Sequence, residues 1–487
     1  MGRHLLVYLP VYIAQALVGF GGVVVFTRLL SAEDYGRYAL LLAAVGLAQA
    51  GLFTWLNAGV ARHHARAERK HRLGAHLSTT LLLGASLSVL VGGSLALIVF
   101  LSPLSAPLKT AALAACALLA VRGLLDVVQE TRRAAGEAVW FAALETAALA
   151  GGFAAAVLIV IHTDLGAAGA IWGLALAAAI ALAAGLPPLL RRTRPDRAAK
   201  IRTRTLFAFG APVTASLIFE QVLSVGDRFL IAAMLGEAPT GAYAAGYGVA
   251  DRSIDIVFIW LGMTAAPLTV IALEKSGADA ARAIARDAAR LMGLIALPAA
   301  VGLAMVADPL ARLLIAEELA GDAAAIMPLV AAGALVNGVM VYFFHKGFTL
   351  GRKTGEMALI MALGAGLNIA LNLALIPALG LTGAALATVI AYGAAAIASA
   401  IRARAAFRLD TPWRDWLRCA LAAGVMAAGL SLLPQPAAPL AALAVMIPAG
   451  VTLYALAALA LDAAGCRRFV RRWIEARPRA LTTETGS

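Results

Sequence analysis

The sequence predicts an all-α, polytopic membrane protein with about 14 transmembrane helices. Of its 487 residues, 62% are hydrophobic and only 14% are charged, whereas a soluble protein of this size carries roughly 25% charged residues. Apolar runs long enough to cross a bilayer recur along the whole chain. The Lys and Arg residues fall mainly in every second connection between these runs. The net charge of +13 is therefore spread over membrane-flanking loops and does not indicate a nucleic-acid-binding face.

Each predicted span contains about 20 mostly apolar residues. The first is interpreted as a retained helix and not as a signal peptide, because no small-residue cleavage site follows it. The connections are short and leave no room for a soluble catalytic domain. In chain order the spans are 7–30, 38–59, 77–101, 109–128, 138–161, 167–189, 207–235, 242–265, 288–307, 326–345, 357–376, 382–401, 417–433 and 438–461.

The positive charges predict the side that each connection faces. With the amino terminus in the cytoplasm, the cytoplasmic connections and tail carry 33 of the 40 Lys and Arg residues. Short cytoplasmic loops are enriched in these residues, so both termini are predicted to be cytoplasmic. The remaining residues are four on the opposite side (Arg28, Arg37, Lys109 and Arg312) and three within spans (Arg122, Arg228 and Arg252).

An internal repeat relates the first six spans to the next six. Leu30–Ala39 matches Leu235–Ala244 at an offset of 205 residues, and Leu165–Ala170 matches Leu379–Ala384 at an offset of 214. Because six is an even number of spans, both copies enter the membrane in the same sense. An axis along the membrane normal then relates them.

We therefore predict two six-helix lobes related by a pseudo-two-fold axis, plus two carboxyl-terminal helices. The basic tail, with interleaved aromatic and aliphatic residues, is predicted to lie on anionic lipid. The predicted parts are an amino-terminal lobe (1–190), a basic cytoplasmic linker (191–206), a second lobe (207–403), two extra transmembrane helices (404–462) and a basic cytoplasmic tail (463–487).

Three motifs carry a resemblance to a known family. Phe26–Tyr38 is similar to the first turn of the polysaccharide transporters, the Wzx-type lipid-linked oligosaccharide flippases. Asp227–Leu230, followed by Gly241–Tyr243, resembles their seventh helix and its end. Asn372–Thr388 is similar to their signature at spans eleven and twelve, and it is the most specific of the three. The likeness covers spans one to twelve.

The resemblance implies the fold of the multidrug/oligosaccharidyl-lipid/polysaccharide exporter superfamily, in which two six-helix lobes face each other across a cavity that opens alternately to each side. It implies that the substrate is an oligosaccharide on undecaprenyl pyrophosphate, flipped across the bacterial inner membrane. Implied partners are this lipid-linked glycan, membrane lipids, and a polysaccharide polymerase with glycosyltransferases. The resemblance also implies a structural role for the turn after span one. We expect Gly36 to permit the bend and Glu33 or Asp34 to cap the next helix.

Span seven carries the first group of candidate site residues. Glu220 and Asp227 are seven residues apart, so they lie on nearly one helix face, with Arg228 beside them. Charged side chains within a membrane are costly and mark transport sites by default. We predict proton or sodium coupling at Glu220 and Asp227, and binding of the substrate's negative headgroup at Arg228. The alternative is an Asp–Arg network that holds helices together.

Two further groups are candidates. Asp251 and Asp255 in span eight are spaced i, i+4, which makes a shared proton acceptor plausible. Charge cancellation with Arg252 or Arg228 is the alternative.

Arg122 in span four would supply a second cation for a diphosphate, because a guanidinium donates bidentate hydrogen bonds. Its alternative is a local ion pair with Asp126. Arg28, at the outer end of span one, is a weaker candidate for substrate binding.

The sequence predicts no resident cofactor or metal, apart from the coupling ion. Cys116, Cys419 and Cys466 are far apart and lack metal-ligand spacing. The loop with His63, His64, His71 and His76 is interpreted as a solvated cytoplasmic segment. A phosphate-binding Gly-rich loop followed by Lys and Ser or Thr is absent from the sequence, which argues against an ATP-driven pump.

The protein is predicted to be a transporter and not an enzyme, but alternatives remain. They are a multidrug exporter or a peptidoglycan-precursor (lipid II) exporter of the same superfamily. A membrane polysaccharide polymerase or ligase is a further alternative. Such an enzyme is expected to have a long, Arg-bearing outer loop, whereas the longest predicted outer loop, Asp308–Ala325, has one Arg.

Overall fold

The computed structural model describes residues 2–195, 198–434 and 436–468, and within them it is helical without β-strands. A π-helical turn, Met340–Phe344, separates α11 from α12, and a 3₁₀ turn, Ala463–Gly465, follows α15. The α-helices are α1 (Gly2–Leu29), α2 (Ala32–Leu52), α3 (Thr54–Arg69), α4 (Leu73–Leu101), α5 (Ala106–Ala134), α6 (Ala138–His162), α7 (Gly166–Leu190), α8 (Ala199–Leu235), α9 (Glu237–Met305), α10 (Ala307–Leu314), α11 (Glu317–Val339), α12 (His345–Leu350), α13 (Thr354–Ala406), α14 (Trp413–Ser431) and α15 (Pro439–Leu461).

The predicted all-α, polytopic membrane fold is confirmed. Among the described residues, 10 helices are long and apolar enough to cross a membrane, or up to 11 if the bent pair α2 and α3 forms one span. This count is below the predicted number because α9 and α13 each contain two predicted spans. They change direction at Gly277 and Gly380, whose φ angles are 85° and 59°. The α14 helix covers span thirteen but carries three charges near its start. Every predicted span therefore coincides with a helix.

Two helices extend further than the predicted spans. The second span was predicted to end at residue 59, but the chain bends by 47° between α2 and α3 and stays helical to Arg69. Phe53 occupies the bend and is only 1% exposed, because its ring fills the space beside Gly123. The predicted outer loop Asp308–Ala325 is also largely helical, since α10 and the start of α11 occupy it.

By its contacts the described chain divides into two compact units. Unit 1 runs to Gly248 and includes Ala365–Leu381, and unit 2 contains Val249–Gly364 and the chain from Thr382 on. The predicted lobe and linker boundaries stay a prediction. Beyond Arg468, the predicted basic tail lies outside the described residues.

Small residues let the helices of unit 1 pack closely. The buried core between α2, α5 and α7 contains six alanines, with Phe53, Leu118, Leu119 and Ile171 as its larger members. A Cβ atom on Gly173 of α7 would overlap the backbone of Ala156 on α6, and one on Gly210 of α8 would overlap the Trp55 carbonyl of α3. In lipid, apolar surface alone does not drive helices together, so such close backbone approach and dispersion contacts hold the bundle.

In unit 2, the two extra helices α14 and α15 pack on the later part of α9 and on α10. Their apolar cluster contains Val306, Met426, Leu430, Leu443 and Met446. Polar contacts fix the start of α14 as well. The Trp416 indole donates a 2.7 Å hydrogen bond to the Ala289 carbonyl, and Arg290 pairs with Asp415 at 2.7 Å. The predicted helices outside the repeat are thus an integral part of this unit.

The repeated turns after α1 and α8 lie against each other within unit 1. A Cβ atom on Gly36 would overlap the Glu237 carbonyl oxygen, and one on Gly241 would lie 2.9 Å from the Ala32 carbonyl oxygen. These two contacts are reciprocal, since Gly36 corresponds to Gly241 and Ala32 to Glu237 at the 205-residue offset. Elements related by a two-fold axis contact each other in this way.

The second repeated turn uses the same backbone conformation in both copies. Gly166, at the start of α7, has φ +52°, and Gly380, within α13, has φ +59°. They correspond to each other at the 214-residue offset. Glycine adopts positive φ without the steric cost that other residues bear, so this part of the sequence repeat reflects a backbone requirement.

The first testable prediction concerns Gly36. Gly36→Ala should destabilise the protein by about 1–3 kcal/mol, since a Cβ there overlaps backbone that cannot move aside as a side chain can. Thermal unfolding of the detergent-solubilised protein, followed by fluorescence-detected size-exclusion chromatography, measures the effect. Gly93→Ala in α4 is the matched control, because a Cβ on Gly93 meets no atom within 4 Å. Equal unfolding temperatures for the two variants would contradict the prediction.

Candidate functional site

Asp227 is fixed at the centre of a hydrogen-bonded group in unit 1. Its side chain is fully buried. One carboxylate oxygen accepts a 2.5 Å hydrogen bond from the Tyr243 hydroxyl, and the other accepts a 2.8 Å bond from the backbone N–H of Arg228. This anchoring joins α8 to the first turns of α9. It favours the alternative in which Asp227 holds helices together, while its predicted role in ion coupling stays a prediction.

The surroundings of the Arg228 side chain differ from those of Asp227. Its guanidinium carbon lies 5.3 Å from the centre of the Tyr247 ring. Its Nε atom is buried without a hydrogen-bond partner, and Arg228 forms no ion pair with another residue in the described part of the chain. A cation held against an aromatic ring in this way keeps donors available for a negatively charged ligand.

Glu220 lies two helical turns before Asp227 on α8, as the spacing predicts. The surroundings of the two carboxylates differ nevertheless, because Glu220 is exposed whereas Asp227 is buried. Seven-residue spacing places side chains on one helix face, but it does not determine which neighbouring helix covers each of them.

Asp251 and Asp255 lie one turn apart on α9, in unit 2. Asp251 is half-buried, while Asp255 and Arg252 are exposed. The predicted i, i+4 spacing therefore occurs on a continuous helix. Their assignment to proton or sodium coupling stays a prediction.

Arg122 is the centre of an intramembrane charge cluster in unit 1. It pairs with Asp126 at 3.0 Å and with Glu145 of α6 at 2.8 Å. The Gln49 amide of α2 donates a 3.1 Å hydrogen bond to Asp126. The sequence predicted the Arg122–Asp126 pair but missed Glu145, whose side chain is only 8% exposed. An acidic residue within the apolar span 138–161 was the signal that could have identified it.

The cluster favours the ion-pair alternative for Arg122. Two carboxylates neutralise its charge, so a bound anion would have to compete with them. The predicted role of Arg122 in substrate binding stays a prediction. Arg28 is exposed and donates a 2.7 Å hydrogen bond to the Val24 carbonyl of its own helix.

The expected N-cap of α2, in the turn after α1, is wrong. Ser31, and not Glu33 or Asp34, is the N-cap of α2, where its hydroxyl accepts a 3.2 Å hydrogen bond from the Asp34 N–H. Gly36 does not form the bend either, because it lies inside α2, where its missing side chain admits Glu237. Asp34 instead pairs with Arg37 at 2.8 Å, and Arg37 also pairs with Glu237 at 2.6 Å.

Three more polar residues with buried side-chain atoms were not predicted as site residues. Asn372, in the span-eleven motif, donates hydrogen bonds of 2.9 and 3.0 Å to the carbonyl and side-chain oxygens of Asn368, and both residues are fully buried. Lys346 was predicted to lie in a cytoplasmic connection. It lies in α12, and its Nζ atom is buried without a partner in the described chain, while its predicted cytoplasmic position stays a prediction. The π-helical turn joins α11 to α12, which extends beyond the predicted end of span ten.

Solved structures of membrane transporters share this fold. A structure of the lipid II flippase MurJ in an inward closed conformation has a TM-score of 0.75 and 13% identity, covering 94% of this chain and 99% of that chain. A variant of the Vibrio cholerae MATE transporter VcmN has a TM-score of 0.58 and 18% identity, covering 83% and 97%. An inward-facing multidrug resistance MATE family transporter of the MOP superfamily has a TM-score of 0.56 and 17% identity, covering 79% and 94%.

A family model described as "Polysaccharide biosynthesis protein" matches residues 1–268, which is more than half of the chain. The chain therefore belongs to the polysaccharide biosynthesis protein family. This confirms the family resemblance carried by the motifs after spans one and seven. Among curated protein sequences, none matches the chain.

The second testable prediction concerns the charge cluster. Arg122→Leu leaves Asp126 and Glu145 without their cation and should lower stability by about 3 kcal/mol, because a buried charge that loses its partner is strongly unfavourable. Thermal unfolding in detergent measures the loss. The control, Arg133→Leu, breaks a pair with Glu130 in which the Arg133 side chain is 55% exposed, and such pairs contribute about 0–1 kcal/mol. The same unfolding temperature in both variants would contradict a structural role for the cluster.

Proposed function

We propose that this protein flips an undecaprenyl-pyrophosphate-linked oligosaccharide from the cytoplasmic to the periplasmic leaflet of the bacterial inner membrane. The observation that carries the proposal is the family match over residues 1–268, which names polysaccharide biosynthesis. The fold supports it, since solved structures with a similar fold are a lipid II flippase and MATE transporters. In this proposal both termini are cytoplasmic, as the distribution of Lys and Arg predicts.

Arg228 is the best candidate for contact with the substrate headgroup. The substrate carries a diphosphate, and a guanidinium binds phosphate oxygens through two parallel hydrogen bonds. Arg228 fits this role better than Arg122 or Arg28, because Arg122 is shared between two carboxylates and Arg28 donates to its own helix. Tyr247 would hold the guanidinium in place from one side.

Transport would follow alternating access, in which the substrate site is exposed to one side of the membrane at a time. The driving ion would be a proton or sodium ion taken up by carboxylates within the spans, the predicted positions being Glu220, Asp227, Asp251 and Asp255. Of these, Glu220 and Asp255 are not buried by the rest of the protein, whereas Asp227 is already hydrogen-bonded to Tyr243. A polysaccharide polymerase and glycosyltransferases would act after and before the flipping step.

A second candidate substrate is lipid II, the peptidoglycan precursor. The observation that favours it is the fold similarity to a lipid II flippase over 94% of the chain. Both substrates join a sugar headgroup to a polyprenyl diphosphate, so an arginine site would suit either.

Deletion of the gene, followed by mass spectrometry of polyprenyl-linked glycans, tests the proposal. An undecaprenyl-linked oligosaccharide should accumulate on the inner leaflet of the deletion strain. The wild-type gene should reverse the accumulation. Accumulation of lipid II instead would favour the second candidate. A normal glycan pool together with altered drug sensitivity would overturn both and favour a multidrug exporter.

The third testable prediction uses purified protein in liposomes that contain the accumulating glycolipid. Arg228→Gln should slow flipping by about tenfold or more, because a charge-assisted contact to phosphate is lost. Access of an added glycosidase to the glycan measures flipping. Arg404→Gln removes an exposed charge from the end of α13 and is the control with an equal charge change. Unchanged flipping by the Arg228 variant would exclude it from headgroup binding.

The fourth testable prediction separates coupling from binding. Glu220→Gln should abolish the dependence of flipping on a proton or sodium gradient, because the amide cannot take up a proton or neutralise a cation. Rates are compared in liposomes with and without each imposed gradient. Glu318→Gln, at the start of α11, is the control for loss of one carboxylate. A Glu220 variant that still responds fully to the gradient would refute the coupling role.

A further inference from the structure

A basic cavity lies in unit 1 between the end of α3, the start of α4 and the start of α8. Its volume is about 310 Å³. It lies at the end of the spans that is predicted to face the cytoplasm, away from Asp227 and Arg228 along α8. The polar residues of its lining include His63, Arg66, Lys70, Arg72, His76 and Arg202.

The lining has a strong excess of positive charge. Four of the described residues that line it are Lys or Arg, and none of these described lining residues is acidic. In the described part of the chain, Arg66, Lys70 and Arg72 form no ion pair. Like charges that converge on one cavity repel each other, so a bound anion would relieve an existing electrostatic cost.

The imidazoles beside these cations supply further hydrogen-bond donors. His76 lines the cavity although it is only 1% exposed. The Nε2 atom of His63, also in the lining, is buried without a hydrogen-bond partner among the described residues. The His64 ring lies 6.1 Å from the His76 ring. Neither nitrogen of His64 has a hydrogen-bond partner among the described residues. Buried polar atoms normally have partners, so the His63 Nε2 atom is available to a ligand in the cavity.

The local fold explains why the charges converge. A tight turn between α3 and α4 places His71 at φ +54° and brings Arg72 to the N-cap position of α4. The Arg194 N–H donates a 3.0 Å hydrogen bond to the Gly74 carbonyl and holds the chain after α7 at this turn. Both α4 and α8 begin here without an acidic residue in the first turn, so their positive dipole ends are not neutralised.

We propose that this cavity binds a phosphate group at the cytoplasmic membrane surface. Arginine forks, a lysine and buried imidazoles are the donors that suit a phosphate, and the volume admits a small headgroup. The phosphate belongs either to an anionic phospholipid or to a free phosphate in solution. This site does not depend on the identity of the transported substrate.

The test compares two full-length variants with equal changes of charge. Arg66→Gln with Arg72→Gln removes two cations from the cavity, whereas Arg404→Gln with Arg414→Gln removes two exposed cations elsewhere. Calorimetric titration of delipidated protein with inorganic phosphate tests the free anion. Native mass spectrometry after reconstitution in phosphatidylcholine, with or without phosphatidylglycerol, tests the lipid. If the double cavity variant does not fold, Arg66→Gln alone replaces it, because Arg66 is exposed.

The cavity variant should bind the phosphate-bearing probe about tenfold more weakly than wild type and the control variant. Loss of retained phosphatidylglycerol identifies a lipid headgroup as the source. Loss of inorganic phosphate binding alone identifies a soluble phosphate. Each of these two results supports the site. Equal binding of both probes by wild type, cavity variant and control, or binding of neither probe by wild type, would overturn the proposal.

Discussion

The close approach of backbone to backbone is the constraint on which unit 1 depends. Gly36 and Gly241 lie so near the Glu237 and Ala32 carbonyls that a methyl group would not fit without a shift. Gly173 and Gly210 allow similar contacts between other helices. In water, burial of large apolar side chains would drive such packing, but lipid is as apolar as the side chains themselves. Helices in a membrane therefore gain most from surfaces that fit closely, and glycine and alanine provide them.

The apolar lipid also explains why charged side chains within the spans are mostly paired. An isolated charge within a bilayer is costly, so most of the buried charges have partners. Arg122 shares two carboxylates, and Asp227 accepts hydrogen bonds from Tyr243 and from the backbone. Among the described residues Arg228 forms no ion pair, its Nε atom has no hydrogen-bond partner, and its guanidinium lies against the Tyr247 ring. Incomplete pairing is a better indication of a ligand site than the presence of charge alone.

The two halves of the repeat have diverged in chemistry while their turns have kept their geometry. Gly166 and Gly380 share a positive φ, and Gly36 and Gly241 make reciprocal contacts. At the residues of interest, however, Glu220 corresponds to Gln15 and Asp227 to Gly22. Backbone contacts at the turns restrict substitution in both copies, whereas the middle of each helix is free to acquire a different function. The charged chemistry of the second copy is consistent with the proposed role of α8.

The sequence by itself determined the fold class, the positions of the spans and the family. Hydrophobic length and charge distribution are properties of the chain, and the bilayer admits few structures that satisfy the backbone in lipid. It also identified Asp227, Arg228 and Arg122 as unusual, because a charge in an apolar run needs no structure to be noticed. Apart from the local Arg122–Asp126 pair, only the tertiary structure decided their partners, since Glu145 is 23 residues from Arg122, and Tyr243 is 16 from Asp227. Partners so far apart in the sequence lie on different helices, and their contact depends on how those helices rotate and pack. The hydrophobic periodicity of a single helix carries no information about this packing.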